Sequence, residues 1–193
     1  MTGRDWATIF NEEFDAPVSP VAARIWREVF GDEYPANLDI YSFVSISELN
    51  RFVTELRLSP GDVLADVGCG RGGPGLWVAT QTGARLIGID IAKTALDAAR
   101  GRALAVGIAE RAEFHRGSFE DTGLSNTSIN AVMSVDALLF APIAIAVRVA
   151  RYVTRYADGV AIAVADVDVA GGDVDDDATN GAARDRRLEP MPD

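Results

Sequence analysis

Val63-Leu64-Ala65-Asp66-Val67-Gly68-Cys69-Gly70-Arg71-Gly72-Gly73-Pro74-Gly75 is the stretch on which the fold turns. A short apolar run ends in an acid, a burst of glycines follows, and Leu76, Trp77 and Ala79 then recur with helical spacing. This is the signature of a buried strand, a tight turn and a helix. Without a Cβ, glycine enters φ > 0 at little cost and lets the backbone lie close against a ligand.

The glycines alone leave two ligands open. Gly68-x-Gly70-x-x-Gly73 satisfies the dinucleotide fingerprint, and Asp90 stands where a ribose-binding acid is expected. That fingerprint seats a pyrophosphate on N–H groups at a helix N-terminus. A carboxylate at Asp66, just ahead of the first glycine, repels such an anion and suits a ligand with a cationic centre and no phosphate. S-adenosylmethionine, with its sulfonium, its ammonium and its ribose hydroxyls, is a ligand of that kind.

Downstream, strand and helix patterns alternate. Leu76 to Gln81 reads as a helix stopped by Gly83, Arg85 to Ile89 as a strand, and Lys93 to Val106 as a helix ended at Gly107. Ala112 to Arg116 reads as a third strand, and Ile129 to Ser134, after the turn-rich Thr122 to Ser128, as a fourth. Alternation of this kind predicts a parallel sheet covered by helices on both faces. Ligands in such sheets bind beyond the carboxyl ends of the strands, where Asp66, Asp90, Ser118, Phe119 and Val135 all fall.

Four motifs in order now carry a resemblance. Asp66-Val67-Gly68-Cys69-Gly70-Arg71-Gly72 resembles the first motif of class I S-adenosylmethionine-dependent methyltransferases of the small-molecule type, and Leu86-Ile87-Gly88-Ile89-Asp90-Ile91 their second-strand motif. Gly117-Ser118-Phe119-Glu120-Asp121 and Ala131-Val132-Met133-Ser134-Val135-Asp136-Ala137 match the turns after their third and fourth strands. The resemblance implies a Rossmann-like α/β fold and S-adenosylmethionine as cofactor. Gly68 and Gly70 then let the turn approach the donor, Asp66 accepts hydrogen bonds near its methionine portion, and Asp90 takes the two ribose hydroxyls. Ile91 packs on adenine, which Ser118 and Phe119 contact from the next loop. Ser118 stands where many members carry an Asp; either its hydroxyl accepts that bond more weakly, or Glu120 or Asp121 substitutes. No residue is singled out as a general base.

The first 60 residues read as a helical cap over a core spanning 61–167. Ser19-Pro20 offers an N-cap and a proline at N1, with Val21, Ile25, Trp26, Val29 and Phe30 on one apolar face. Ser45-x-x-Glu48 is a capping box ahead of a second helix that buries Ile46, Leu49, Phe52, Val53 and Leu56. In the resembling family the equivalent helices form a lid, which makes Tyr41 and Ser42 candidate lid contacts.

Composition fits a cytoplasmic enzyme of one domain. The net charge of −11 argues against nucleic-acid and anionic-membrane partners, and no apolar stretch reaches the length of a membrane span. Cys69 is the one cysteine and, between two glycines, reads as a small packed residue. His115 alternates with Phe114 within a strand and is expected to face a helix-covered side rather than the strand ends. No Ser-His-Asp arrangement and no metal-ligand cluster stands out, so no metal is expected.

The C-terminal quarter departs from the family pattern. Ile143, Ile145, Val147 and Val149 alternate with a period of two, and Asp158-Gly159 precedes Val160, Ile162 and Val164. From the residues alone this is a β-hairpin. The family pattern favours a helix over 143–156 followed by a fifth strand, because a parallel sheet needs a crossover. Residues 168–193 form an acidic tail whose composition predicts disorder, and the family's final antiparallel strands are expected to be missing. Three functions stay open: a methyltransferase with a small-molecule acceptor, a non-catalytic remnant that binds the donor, and a nicotinamide-dependent oxidoreductase.

Overall fold

A computed structural model describes residues 5–16, 19–38, 42–124, 129–141, 153–155 and 161–163. Its framework is a six-stranded sheet ordered β3-β2-β1-β4-β6-β5, formed by β1 (Val63–Val67), β2 (Arg85–Asp90), β3 (Ala112–Arg116), β4 (Ala131–Ser134), β5 (Val153–Arg155) and β6 (Ala161–Ala163). The first four strands are parallel, with Asp66 opposite both Gly88 of β2 and Met133 of β4.

The described helices that cover the sheet follow from the sequence between its strands. After the glycine turn, α4 (Gly73–Thr82) begins on Gly72 in the left-handed region (φ +78) with Pro74 in its first turn, and it ends on the left-handed Gly83. Helix α5 (Lys93–Ala105) buries Ala95, Leu96, Ala99 and Ala103 against β2 and β3. Helix α3 (Ile46–Glu55) packs on α4 and opens with the predicted capping box: Ser45 Oγ accepts from Glu48 N–H, and Glu48 Oε2 accepts from Ser45 N–H at 2.7 Å. Leu64, Leu86, Phe114 and Met133 from the sheet meet Leu49, Phe52, Leu76 and Leu96 from these helices in one core. On the opposite sheet face, Ala65, Val67, Ile87 and Ile89 are buried with Ile129, and Phe119, Leu124 and Val132 pack against them.

Two more helices stand at the carboxyl end of the strands. The N-terminal helix α1 (Trp6–Asp15) has no counterpart in the sequence reading; it is capped by Asp5, whose carboxylate accepts from Thr8 N–H. It docks on the start of α5, where Thr94 N–H donates to Asn11 Oδ1 and Thr94 Oγ donates to the Asn11 carbonyl. Helix α2 (Pro20–Phe30) starts at the predicted proline, but no residue on it is buried. Its expected apolar face therefore stays open, with Val21, Ile25 and Val29 all exposed.

The region after β4 corrects the helix-then-strand expectation. Residues 153–155, inside the expected helix, are strand β5, and β6 lies antiparallel between β5 and β4, with Ile162 opposite Thr154 and Met133. An antiparallel ladder needs no crossover, and β-branched Val153, Thr154 and Ile162 suit strands; the alternating Ile143, Ile145, Val147 and Val149 lie outside the described residues. An antiparallel pair thus flanks β4, although the expected disordered tail lies outside the described residues. His115 is also placed differently. It sits on the edge strand β3, half-exposed beside Glu113 at 3.4 Å, while its neighbour Phe114 turns into the core.

Candidate active site

The carboxyl ends of β1, β2 and β4 converge on a cavity of about 1050 Å³, at the upper end of the usual range for ligand sites. Asp66, Gly68 and Gly70 reach it from β1 and the glycine turn, and Asp90 and Ile91 from the end of β2. Ser118 and Phe119 line it from the loop after β3, and Val135 from the end of β4. The structure thus brings together all eight residues singled out for the cofactor. Ser42 also lines the cavity, whereas Tyr41 lies outside the described residues.

Two glycines in the turn are fixed by geometry. Gly68 has φ +75, and a Cβ there would lie 2.5 Å from the Ala137 Cβ and 3.3 Å from the Phe119 ring. Gly70, at φ +52, lies against Phe14 of α1, while its N–H donates to Asp90 Oδ2 at 2.8 Å. The other oxygen of Asp90 accepts from Ala92 N–H at 2.8 Å. Each carboxylate oxygen has two lone pairs, so both can still accept from a diol. Burial pushes Asp90 up from the ordinary carboxylate range, against the opposing pull of the Ala92, Gly70 and Ile91 N–H groups.

Asp66 is more deeply enclosed. It is 1 % exposed, and its Oδ2 has no hydrogen-bond partner within the protein. Burial, reinforced by the charge of Asp90 and opposed by Gly75 N–H, pushes its pKa up to about 7. Near neutral pH Asp66 is therefore only partly charged, which weakens its repulsion of an anion. Its Oδ2 faces Gly75 of α4, and leaving that hydrogen bond unmade costs stability. Cys69 is buried between these acids, and burial together with their charge drives its thiol pKa up, as befits a packed residue and not a nucleophile.

The loop after β3 is held by its own serine. Ser118 Oγ accepts from the N–H groups of Glu120 and Asp121, and Ser118 N–H donates to the Asp121 carbonyl at 2.8 Å. The hydroxyl is thus turned onto its own loop but keeps its proton free to donate. Glu120 lines the cavity beside it.

Sequence reading missed two parts of the site. Asp136, quoted only within its motif, holds a left-handed backbone (φ +51) at the end of β4. Its Oδ2 accepts from Ser42 Oγ at 2.8 Å and Phe43 N–H at 2.9 Å, tying the segment before α3 to the sheet. The second part is the aromatic wall of α1. Trp6 and Phe10 meet Phe140 edge-on at 5.2 and 4.9 Å, and Phe14 lies under the Arg71 guanidinium. The spacing of Trp6, Phe10 and Phe14 at i, i+4, i+8 was the available signal.

The family described as "Methyltransferase domain" matches residues 64–158, which begin on β1 and include every strand end that forms the cavity floor. Residues 64–158 belong to the class I S-adenosylmethionine-dependent methyltransferases. Among relatives of this methyltransferase domain, "Methyltransferase GfsG" of Streptomyces halstedii is 27 % identical over 146 residues, 75 % of this chain and 51 % of that protein. The "24-methylenesterol C-methyltransferase 2" of Oryza sativa subsp. japonica is 34 % identical over 87 residues, 45 % of this chain and 24 % of that protein. The chain thus spans about half the length of the first relative and a quarter of the second. A geranyl diphosphate methyltransferase solved with geranyl diphosphate and sinefungin shares the fold, with a TM-score of 0.51 and 20 % identity over 67 % of this chain and 55 % of that one.

Proposed function

We propose that this methyltransferase domain binds S-adenosylmethionine in the cavity above the glycine turn and transfers its methyl group to a small-molecule acceptor. The observation that carries the reading is the pair of left-handed glycines at the cavity floor beside Asp90, whose two carboxylate oxygens keep lone pairs for a diol. Asp66 lies buried at the same floor, and a cation in the cavity favours its ionised form.

Each residue has a part in holding the donor. Asp90 accepts from the ribose hydroxyls with lone pairs its backbone partners leave free. Ile91 and Phe119 supply apolar surface for adenine, and Ser118 or Glu120 meets its polar edge. The turn at Gly68 and Gly70 follows the methionine portion, and Val135 borders the route to the acceptor. S-adenosylmethionine supplies a methyl group already activated on a sulfonium. The chain contributes alignment and exclusion of water, which together account for much of the acceleration of a two-reactant step. Asp136 serves as a positioning residue by fixing Ser42 and Phe43 over the cavity.

Calorimetric titration of the full chain with S-adenosylhomocysteine and with NAD tests the reading. Saturable binding of S-adenosylhomocysteine and none of NAD is expected; binding of NAD alone overturns it.

A further inference from the structure

The cavity is too large and too apolar on one side to be explained by the donor. Beyond Phe14 its wall is made by Trp6, Phe10, Phe140, Trp26 and Phe43, with Trp26 and Phe43 meeting edge-on at 5.0 Å. Aromatic surface of this kind rewards burial of hydrocarbon.

The charged lining is one-sided. Among the described residues Glu13, Asp66, Asp90, Glu120 and Asp136 bring carboxyl groups to the cavity, and Arg71 brings the one cation. Arg71 is already engaged: it donates to the carbonyls of Phe14 and Ala16, both at 2.9 Å, and its guanidinium lies 5.5 Å from the centre of the Phe14 ring. Among the described residues a phosphate entering here meets acids and only the engaged Arg71, and phosphate recognition rests on such cations. Nor is there, among the described residues, a group of three acids, histidines or cysteines that could hold a metal to bridge a diphosphate.

We infer that the aromatic half of the cavity takes an uncharged, lipophilic acceptor and rejects the same hydrocarbon carrying a phosphate or diphosphate. This rests on the methyltransferase reading for the other half of the cavity. It separates the chain from a relative named for a diphosphate substrate, the geranyl diphosphate 2-C-methyltransferase of Saccharopolyspora erythraea.

The test uses the full chain with S-adenosylhomocysteine present and two probes that share one hydrocarbon, geraniol and geranyl diphosphate. Binding is read by quenching of tryptophan fluorescence. Geraniol should saturate the signal at least tenfold more tightly than geranyl diphosphate. Phe140→Ala should weaken geraniol about tenfold. Phe43→Arg, at an exposed position that tolerates a charge, should narrow the gap by strengthening geranyl diphosphate. Equal or tighter binding of the diphosphate overturns the inference, as does failure of geraniol while S-adenosylhomocysteine binds. If geraniol binds and S-adenosylhomocysteine does not, the apolar half stands and the donor reading falls.

Discussion

At the scale of single residues, Asp66 and Gly68 make the sharpest demands. The folded protein keeps a proton on Asp66 up to about pH 7, whereas an unfolded aspartate releases it near 3.8. Between those values the native state binds more protons, so this residue lowers stability as pH rises and its effect levels off above about 7. Asp66→Asn should remove that slope, measured by thermal melting from about pH 5 to about pH 8; equal slopes in both proteins would contradict the burial argument. Linkage runs the other way for a cationic ligand. Its binding expels the proton, so affinity for S-adenosylmethionine should rise with pH up to about 7, with proton release visible as a buffer-dependent heat. Gly68→Ala forces a methyl group to within 2.5 Å of Ala137 at a positive φ. A left-handed alanine alone costs roughly 1–2 kcal/mol, so this variant should melt earlier and bind S-adenosylhomocysteine at least tenfold more weakly.

At the scale of elements, the N-terminal helix hangs on the loop it covers. Arg71, inside the glycine turn, donates to two carbonyls at the end of α1, and Asn11 ties its middle to Thr94. Hydrogen bonds from a charged group contribute roughly 1.5–3 kcal/mol, so Arg71→Ala should speed hydrogen exchange in α1 by about tenfold or more. Amides of β1 and β2 should keep their protection; their loss would mean that the arginine supports the core and not the helix. Strands β1, β2 and β4 were legible as short, largely apolar runs closed by turn chemistry, β3 from its place in the alternation of helix and strand, and α3 because Ser45 and Glu48 announce its start. The i, i+4, i+8 spacing of Trp6, Phe10 and Phe14 was a signal for helix α1, but its place over the site was not legible, because its partner Phe140 lies more than a hundred residues away in sequence and no local pattern names it. The antiparallel pairing of β5 and β6 was legible only in part: Ile162 belongs to the alternating Val160, Ile162 and Val164, whereas the other alternating run, 143–149, lies outside the described residues. Asp136 escaped for a related reason, since its value lies in a contact with Ser42 across the fold.

At the scale of the whole molecule, sheet and ligand should report on each other. Ile162 sits between Met133 and Thr154 at the centre of the antiparallel pair, so its N–H serves one neighbour or the other. Ile162→Pro removes that donor from a central strand and should lower the melting temperature by several degrees. Saturation with S-adenosylhomocysteine at about a hundred times its dissociation constant adds about 2.7 kcal/mol, enough to raise the melting point by roughly 5–10 °C in a chain of this size. No shift at saturation would contradict the proposed site. One feature also shapes turnover. Helix α1 walls both halves of the cavity, with Phe14 against Gly70 and Trp6 and Phe10 against Phe140. On the proposed function, both reactants must therefore be aboard before chemistry, and a single outward swing of that helix frees both products. Steady-state kinetics should then be sequential and not ping-pong, with a maximal rate that falls as the solvent is made more viscous.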